Sequence, residues 1–162
     1  MKLSQPPILI SACLLGEKVR YDGQHLLLDH PILTKWIKNN QLISICPEVS
    51  GGLPIPRQPA EIQKIQSDSI KVININQIDV TEAFQIGAKK ALSVCQRNNI
   101  RMAILTENSP SCGSSKIYNG SFQGEKISGE GITTKLLRKS GIQVFSQYQL
   151  DKADEHYQRL NC

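Results

Sequence analysis

Four short apolar runs punctuate the chain: ILISAC (8–13), LISIC (42–46), RMAILTE (101–107) and IQVFSQ (142–147). Each has the length and continuous apolar character of a strand buried on both faces of a parallel sheet. Helical patterns separate them. Asp29-His30-Pro31 opens a helix running through Trp36 to about Asn40, with Asp29 as cap and proline in the first turn. DVTEAFQIGAKKALSVCQRNN (79–99) is the clearest helix. It starts at Asp79 or Thr81 with Glu82 behind, and its apolar face takes in Ala83, Phe84, Ile86, Ala88, Ala91, Leu92 and Cys95. ITTKLLRKSG (132–141) ends at a glycine, and residues 151–160 form a terminal helix. EIQKIQ and SIKVININ alternate as a β-hairpin across Ser67-Asp68. This order predicts an α/β fold: one domain over residues 1–162, with a mainly parallel sheet and a small hairpin insertion. Ligands of such sheets bind beyond the carboxyl ends of the strands.

Two stretches lack any period: PEVSGGLPIPRQPAE (47–61), and the serine- and glycine-rich segment from ENSPSCGSS to residue 131. Long irregular loops in compact domains are usually functional. Both follow predicted strands. Tyr21-Asp22-Gly23 reads as a tight turn.

Composition narrows the function classes. The net charge of +5 is mild and the basic residues form no dense run. Eight aromatic residues (four Tyr, three Phe, one Trp) are too few for a base-stacking platform, so direct nucleic-acid binding is not expected. Pro6-Pro7 interrupts the apolar N-terminal stretch, which reads neither as a signal peptide nor as a membrane span. A cytoplasmic protein is the expectation; the oligomeric state is left open.

The five cysteines carry the chemistry. An odd number without a secretion signal argues against a disulfide framework. Cys95 sits on the apolar face of a helix and reads as a small buried hydrophobe; Cys162 is the last residue. Cys13, Cys46 and Cys112 instead end, or closely follow, three predicted strands. If those strands are parallel and adjacent, the three thiols meet at one sheet edge. Three thiolates suit a zinc with one open position, an iron–sulfur cluster with one open iron, or, for Cys112 alone, a nucleophile. His25 and His30 are the histidines available to complete a zinc set.

The blocks ISACLLG with RYDG, CPEVSGGLPIPRQPAEI, ENSPSCGSSKIYNGSF and GEGITTKLLRKSGIQVFS resemble a bacterial family long described only as a domain of unknown function, which includes the thiouracil desulfidases. The resemblance runs from about residue 8 to about residue 148. It implies a Rossmann-like domain and an oxygen-sensitive [4Fe–4S] cluster held by Cys13, Cys46 and Cys112. It also implies non-redox removal of sulfur from a thiolated pyrimidine, giving uracil and sulfide. Within that reading Glu48 is the expected base and Ser109 a proton relay or ring contact. Arg57, Ser111 and Gly113 are expected at the substrate. A sulfur-carrying or nucleobase-binding module without turnover, and a zinc- or cysteine-dependent hydrolase, are the competing readings.

Overall fold

The computed structural model describes residues 5–66 and 69–160. The expected turn at Ser67-Asp68 and Cys162 lie outside them. In chain order the elements are β1 (Ile8–Ser11), α1 (Pro31–Lys38), β2 (Leu42–Ile45), α2 (Pro47–Ser50), β3 (Ala60–Gln66), β4 (Ser69–Asn74), α3 (Thr81–Arg97), β5 (Met102–Ile104), β6 (Lys116–Tyr118), β7 (Lys126–Ser128), α4 (Ile132–Lys139), β8 (Gln143–Phe145) and α5 (Leu150–Leu160). A 3-10 turn, Ala12–Leu15, follows β1 directly.

The central sheet has the order β2-β1-β5-β8, all parallel. Its strands are short, and alternate residues of β1 serve two separate cores. Ile8 and Ile10 pack with Trp36 of α1 and Leu150, Ala153 and Tyr157 of α5. Leu9 packs on the other face with Ala91 and Cys95 of α3 and Leu137 of α4. Helices thus cover both faces of the sheet centre, where β1 and β5 are buried throughout and read as unbroken apolar runs, while the edge strands β2 and β8 are partly exposed. From β1 the chain moves outward to β2, then returns to pair β5 on the far side of β1. The strand order reverses between β1 and β5, where open α/β sheets form their ligand crevice.

Local differences from the predicted elements have identifiable causes. His30, not Asp29, caps α1: its Nδ1 accepts from the Ile32 amide at 3.1 Å. Asp79 caps from just outside α3, its Oδ1 accepting the Thr81 amide at 2.9 Å. Ile86 is 39 % exposed, and Gly87 occupies the buried face in its place. The reason is α2, an element the sequence pattern did not predict. A Cβ built on Gly87 would lie 1.9 Å from the Pro47 carbonyl oxygen, and one on Gly51 would lie 1.9 Å from that of Ala83. Two glycines facing each other let the backbone of the segment after Cys46 settle directly on α3.

The second long loop is also ordered by specific contacts. It holds a two-stranded antiparallel pair, β6 and β7. The Glu107 carboxylate gathers the turn ahead of β6. Its Oε1 accepts the amides of Ser114, Ser115 and Lys116 at 2.8–3.1 Å, and its Oε2 accepts the hydroxyls of Ser114 and Ser115 at 2.8 and 3.0 Å. Burial alone would push this carboxyl group up. The donors outweigh it and hold the pKa down, from 4.5 to about 2. From the other side, the start of α4 grips the same loop. The Thr133 amide donates to the Ser111 carbonyl at 2.9 Å, and Thr134 Oγ1 to that of Cys112 at 2.8 Å.

Two predictions follow from these anchors. Gly87→Ala forces a backbone shift and should lower stability by about 1–3 kcal/mol, whereas Ile86→Ala on the exposed side should stay within about 0.5 kcal/mol; urea denaturation midpoints compare them. The stabilisation from ionised Glu107 should be complete above its unfolded value of 4.5 and vanish as pH falls toward about 2. Glu107→Gln should remove that part of the acid sensitivity while lowering stability at neutral pH, as read by thermal unfolding across pH 2–7.

Candidate active site

The segments after β1, β2 and β5 enclose one cavity of about 820 Å³, and Cys13, Cys46 and Cys112 all line it. Strand adjacency does this: β1 is hydrogen-bonded to β2 on one side and β5 on the other. Cys13 stands in the 3-10 turn, Cys46 at the cap of α2, and Cys112 in the loop gripped by Glu107 and α4. Cys13 and Cys112 are 7 % and 5 % exposed.

All three thiols are free, and burial pushes each above its ordinary value, Cys112 furthest because it is the most deeply desolvated; the Glu48 carboxylate raises all three, and Cys46 adds to the shift at Cys112. A lone Cys112 thiol in this setting stays protonated and is a poor nucleophile. Hydroxyls reach two of the sulfurs. Thr106 Oγ1 lies 3.0 Å from Cys13 Sγ, and the Ser11 hydroxyl bonds to Cys112 while accepting the Thr106 amide at 3.0 Å. Around Cys46, the Glu48 and Val49 amides at the start of α2 favour the thiolate. Among the described residues no three His, Cys, Asp or Glu groups converge closely enough to hold a single metal ion. His25 and His30 do not line the cavity; each uses Nδ1 on a backbone amide two residues on.

Glu48 projects from α2 into the same cavity. Its Oε2 takes both Nε (2.9 Å) and Nη2 of Arg57, an ion pair whose side chains are only 14 % and 7 % exposed. Arg57 Nη1 donates to the Pro54 carbonyl at 3.2 Å. Arg57, expected to face the substrate, is therefore committed to Glu48. The other carboxylate oxygen, Oε1, is approached by Ser109 Oγ at 3.4 Å. Ser109 Oγ accepts the Ser111 and Cys112 amides at 3.0 and 3.1 Å, so its own proton is directed at Glu48.

Ser111 and Gly113 sit elsewhere than expected. Ser111 is fully buried, its hydroxyl 2.7 Å from Thr133 Oγ1, and neither residue lines the cavity. Their positions are dictated by the clamp of α4 on the Cys112 loop. Cys95 is a core residue of α3, its thiol raised to about 11 by burial. Sequence reasoning passed over Ser11, Thr106, Glu61 and Glu107, all on the cavity wall. Glu61 and Glu107 stand within blocks already singled out, but their partners lie up to 61 residues away.

Comparison with known proteins agrees with this arrangement. The sequence model of the 2-thiouracil desulfurase family matches residues 8–149. An uncharacterised protein of Bacillus subtilis (strain 168), YbbK, is 40 % identical over 149 residues, 89 % of this chain and 97 % of that one. The solved structure of the [4Fe-4S]-dependent thiouracil desulfidase TudS superposes with a TM-score of 0.87 at 47 % identity, covering 93 % of this chain and 97 % of that one. Among the described residues no helix is long and apolar enough to cross a membrane. With nearly its whole length matched in sequence and in fold, the chain belongs to the 2-thiouracil desulfurase family.

Proposed function

We propose that this protein removes the sulfur of a thiolated pyrimidine, converting thiouracil and water to uracil and hydrogen sulfide without net electron transfer. The observation that carries the reading is the meeting of three thiols with the Glu48–Ser109 pair on the wall of one cavity. A [4Fe–4S] cluster fits the donor set: the thiols come from three separate segments, border one space, and do not converge on a single-ion position. Cys13, Cys46 and Cys112 would hold it. When bound, such a cluster supplies an iron with an open position, a Lewis acid for the thiocarbonyl sulfur.

The chain's own residues then manage water and protons. Hydrolysis of a thioamide carbon requires a base for the attacking water. Glu48 suits that role because Arg57 immobilises Oε2 and leaves Oε1 to take the proton. Ser109 stands between that oxygen and the cysteine loop, its orientation fixed by two amides. It can pass a proton between Glu48 and the departing sulfur. Arg57 acts as a positioning residue through Glu48. The apolar part of the wall, including Leu53, Val80 and Phe84, limits bulk water around the ring.

After anaerobic reconstitution, Cys13→Ala, Cys46→Ala and Cys112→Ala should each lose bound iron, acid-labile sulfide and thiouracil turnover. Cys95→Ala should keep all three. Full turnover by iron-free protein would overturn the reading. Glu48→Gln should retain iron and visible absorption while kcat falls by about 10²–10⁴, and Arg57→Met should lower kcat with iron content unchanged.

A further inference from the structure

Three carboxylates line the cavity, and their partners differ. Glu48 is neutralised by Arg57. Glu107 is saturated by backbone amides and serine hydroxyls. Glu61, the second residue of β3, is 8 % exposed and has neither arrangement. Its Oε1 accepts the amides of Gly120 and Phe122 at 2.9 and 3.2 Å. Its Oε2 receives no hydrogen bond among the described residues. That oxygen is not sealed in protein either: among the described residues the one sealed side-chain nitrogen or oxygen lacking a partner is His156 Nε2. Oε2 therefore keeps some solvent access, and Glu61 stands on the cavity wall. No cation among the described residues forms an ion pair with Glu61.

A desolvated carboxylate with an unused oxygen is costly unless a donor arrives to meet it. The cavity also contains Arg20 and Arg57, so the wall as a whole does not call for a cationic ligand. A neutral ligand with a polarised N–H is the better complement, since hydrogen bonds from N–H to a charged acceptor are among the strong ones. Thiouracil carries N–H groups beside its thiocarbonyl and carbonyl. We infer that Glu61 is a substrate-recognition residue whose free Oε2 accepts a ring N–H of the thiolated pyrimidine, while its other oxygen holds the Gly120–Phe122 loop as part of the wall. The inference rests on the proposed desulfidase reading. It assigns ring recognition to a residue remote in sequence from the cysteine motifs.

The test pairs a protein change with a substrate change, using the iron-loaded protein. Glu61→Gln keeps a carbonyl for the two loop amides but replaces the free acceptor with a donor. KM for 2-thiouracil should rise on the order of ten- to a hundredfold, with iron content unaltered and kcat changed less. Affinity for uracil, measured by calorimetry without turnover, should fall by a similar factor. Wild-type protein should lose a comparable factor on 1-methyl- or 3-methyl-2-thiouracil, whichever lacks the recognised N–H, and the variant should lose nothing further on that compound. Equal losses by the variant on all three compounds would mean that Glu61 only supports the Phe122 loop, and would overturn the proposal. So would unchanged KM and uracil affinity. Should Glu61→Gln fail to fold, the wild-type methyl series still decides, because indifference to methylation at both nitrogens removes the donor the proposal requires. Absence of turnover by iron-loaded wild type, with uracil still bound in a Glu61-dependent way, would overturn the desulfidase reading and leave the recognition site standing.

Discussion

The parallel pairing of β1 with β2 on one edge and β5 on the other is the constraint from which the site follows. Cysteines separated by 33 and 66 positions become neighbours only because three consecutive strands of the sheet point the same way. Neighbouring parallel strands lie about 5 Å apart, so the segments leaving them start close together yet diverge. That spacing explains why three thiols share a cavity while, among the described residues, no three His, Cys, Asp or Glu groups converge on a single-ion position. A cluster several ångströms across is the group that the proposed reading places in this frame.

Holding the frame requires that the polar backbone of three irregular segments be satisfied without regular ladders. Each segment uses a different device. The turn after β1 is tied across the sheet through Ser11 and Thr106. The segment after β2 becomes a short helix that rests on α3 through a pair of glycines. The segment after β5 wraps around Glu107 and is gripped by α4. Buried charge accompanies these devices but is spent locally, with Arg57 on Glu48 and amides on Glu107. The cavity is therefore polar at defined atoms and apolar elsewhere, the usual composition of a small-molecule site.

The sheet was legible in the sequence because the two-faced burial of β1 and β5 writes itself as unbroken apolar runs, and because the partly exposed edge strand LISI carries a short run of the same β-branched type bounded by a turn and a proline. The three thiols were legible because Cys13 and Cys46 end such runs and Cys112 lies just past a third. The loops were not. α2 has only four residues, below any periodicity, and forms because Gly51 and Gly87 happen to face each other. β6 and β7 have three residues apiece, and the turn leading into β6 depends on a carboxylate seven to nine positions upstream. The burial of Gly87 in place of Ile86 reflects the same tertiary contact overriding the amphipathic pattern. For Arg57 the sequence established a cation near the site but not its partner; only the fold of residues 47–57 turns it toward Glu48.

The sulfurs and the carboxylates impose opposite electrostatic demands on this cavity. Negative charge on Glu48 raises the cost of ionising Cys13, Cys46 and Cys112, and so opposes the thiolates a metal centre requires. Removing that charge would deprive the site of the base proposed for the reaction. The ion pair with Arg57 reconciles the two, because it neutralises Glu48 on the oxygen that does not meet Ser109. Hydroxyls from Ser11 and Thr106 and amides at the head of α2 then supply donors to the sulfurs themselves. Donors to ligating sulfur are the ordinary means by which a protein stabilises thiolate and adjusts a cluster. Residues that look like spacers in the sequence, a serine within ISAC and a threonine within ILTE, thus belong to the same electrostatic design as the cysteines they accompany.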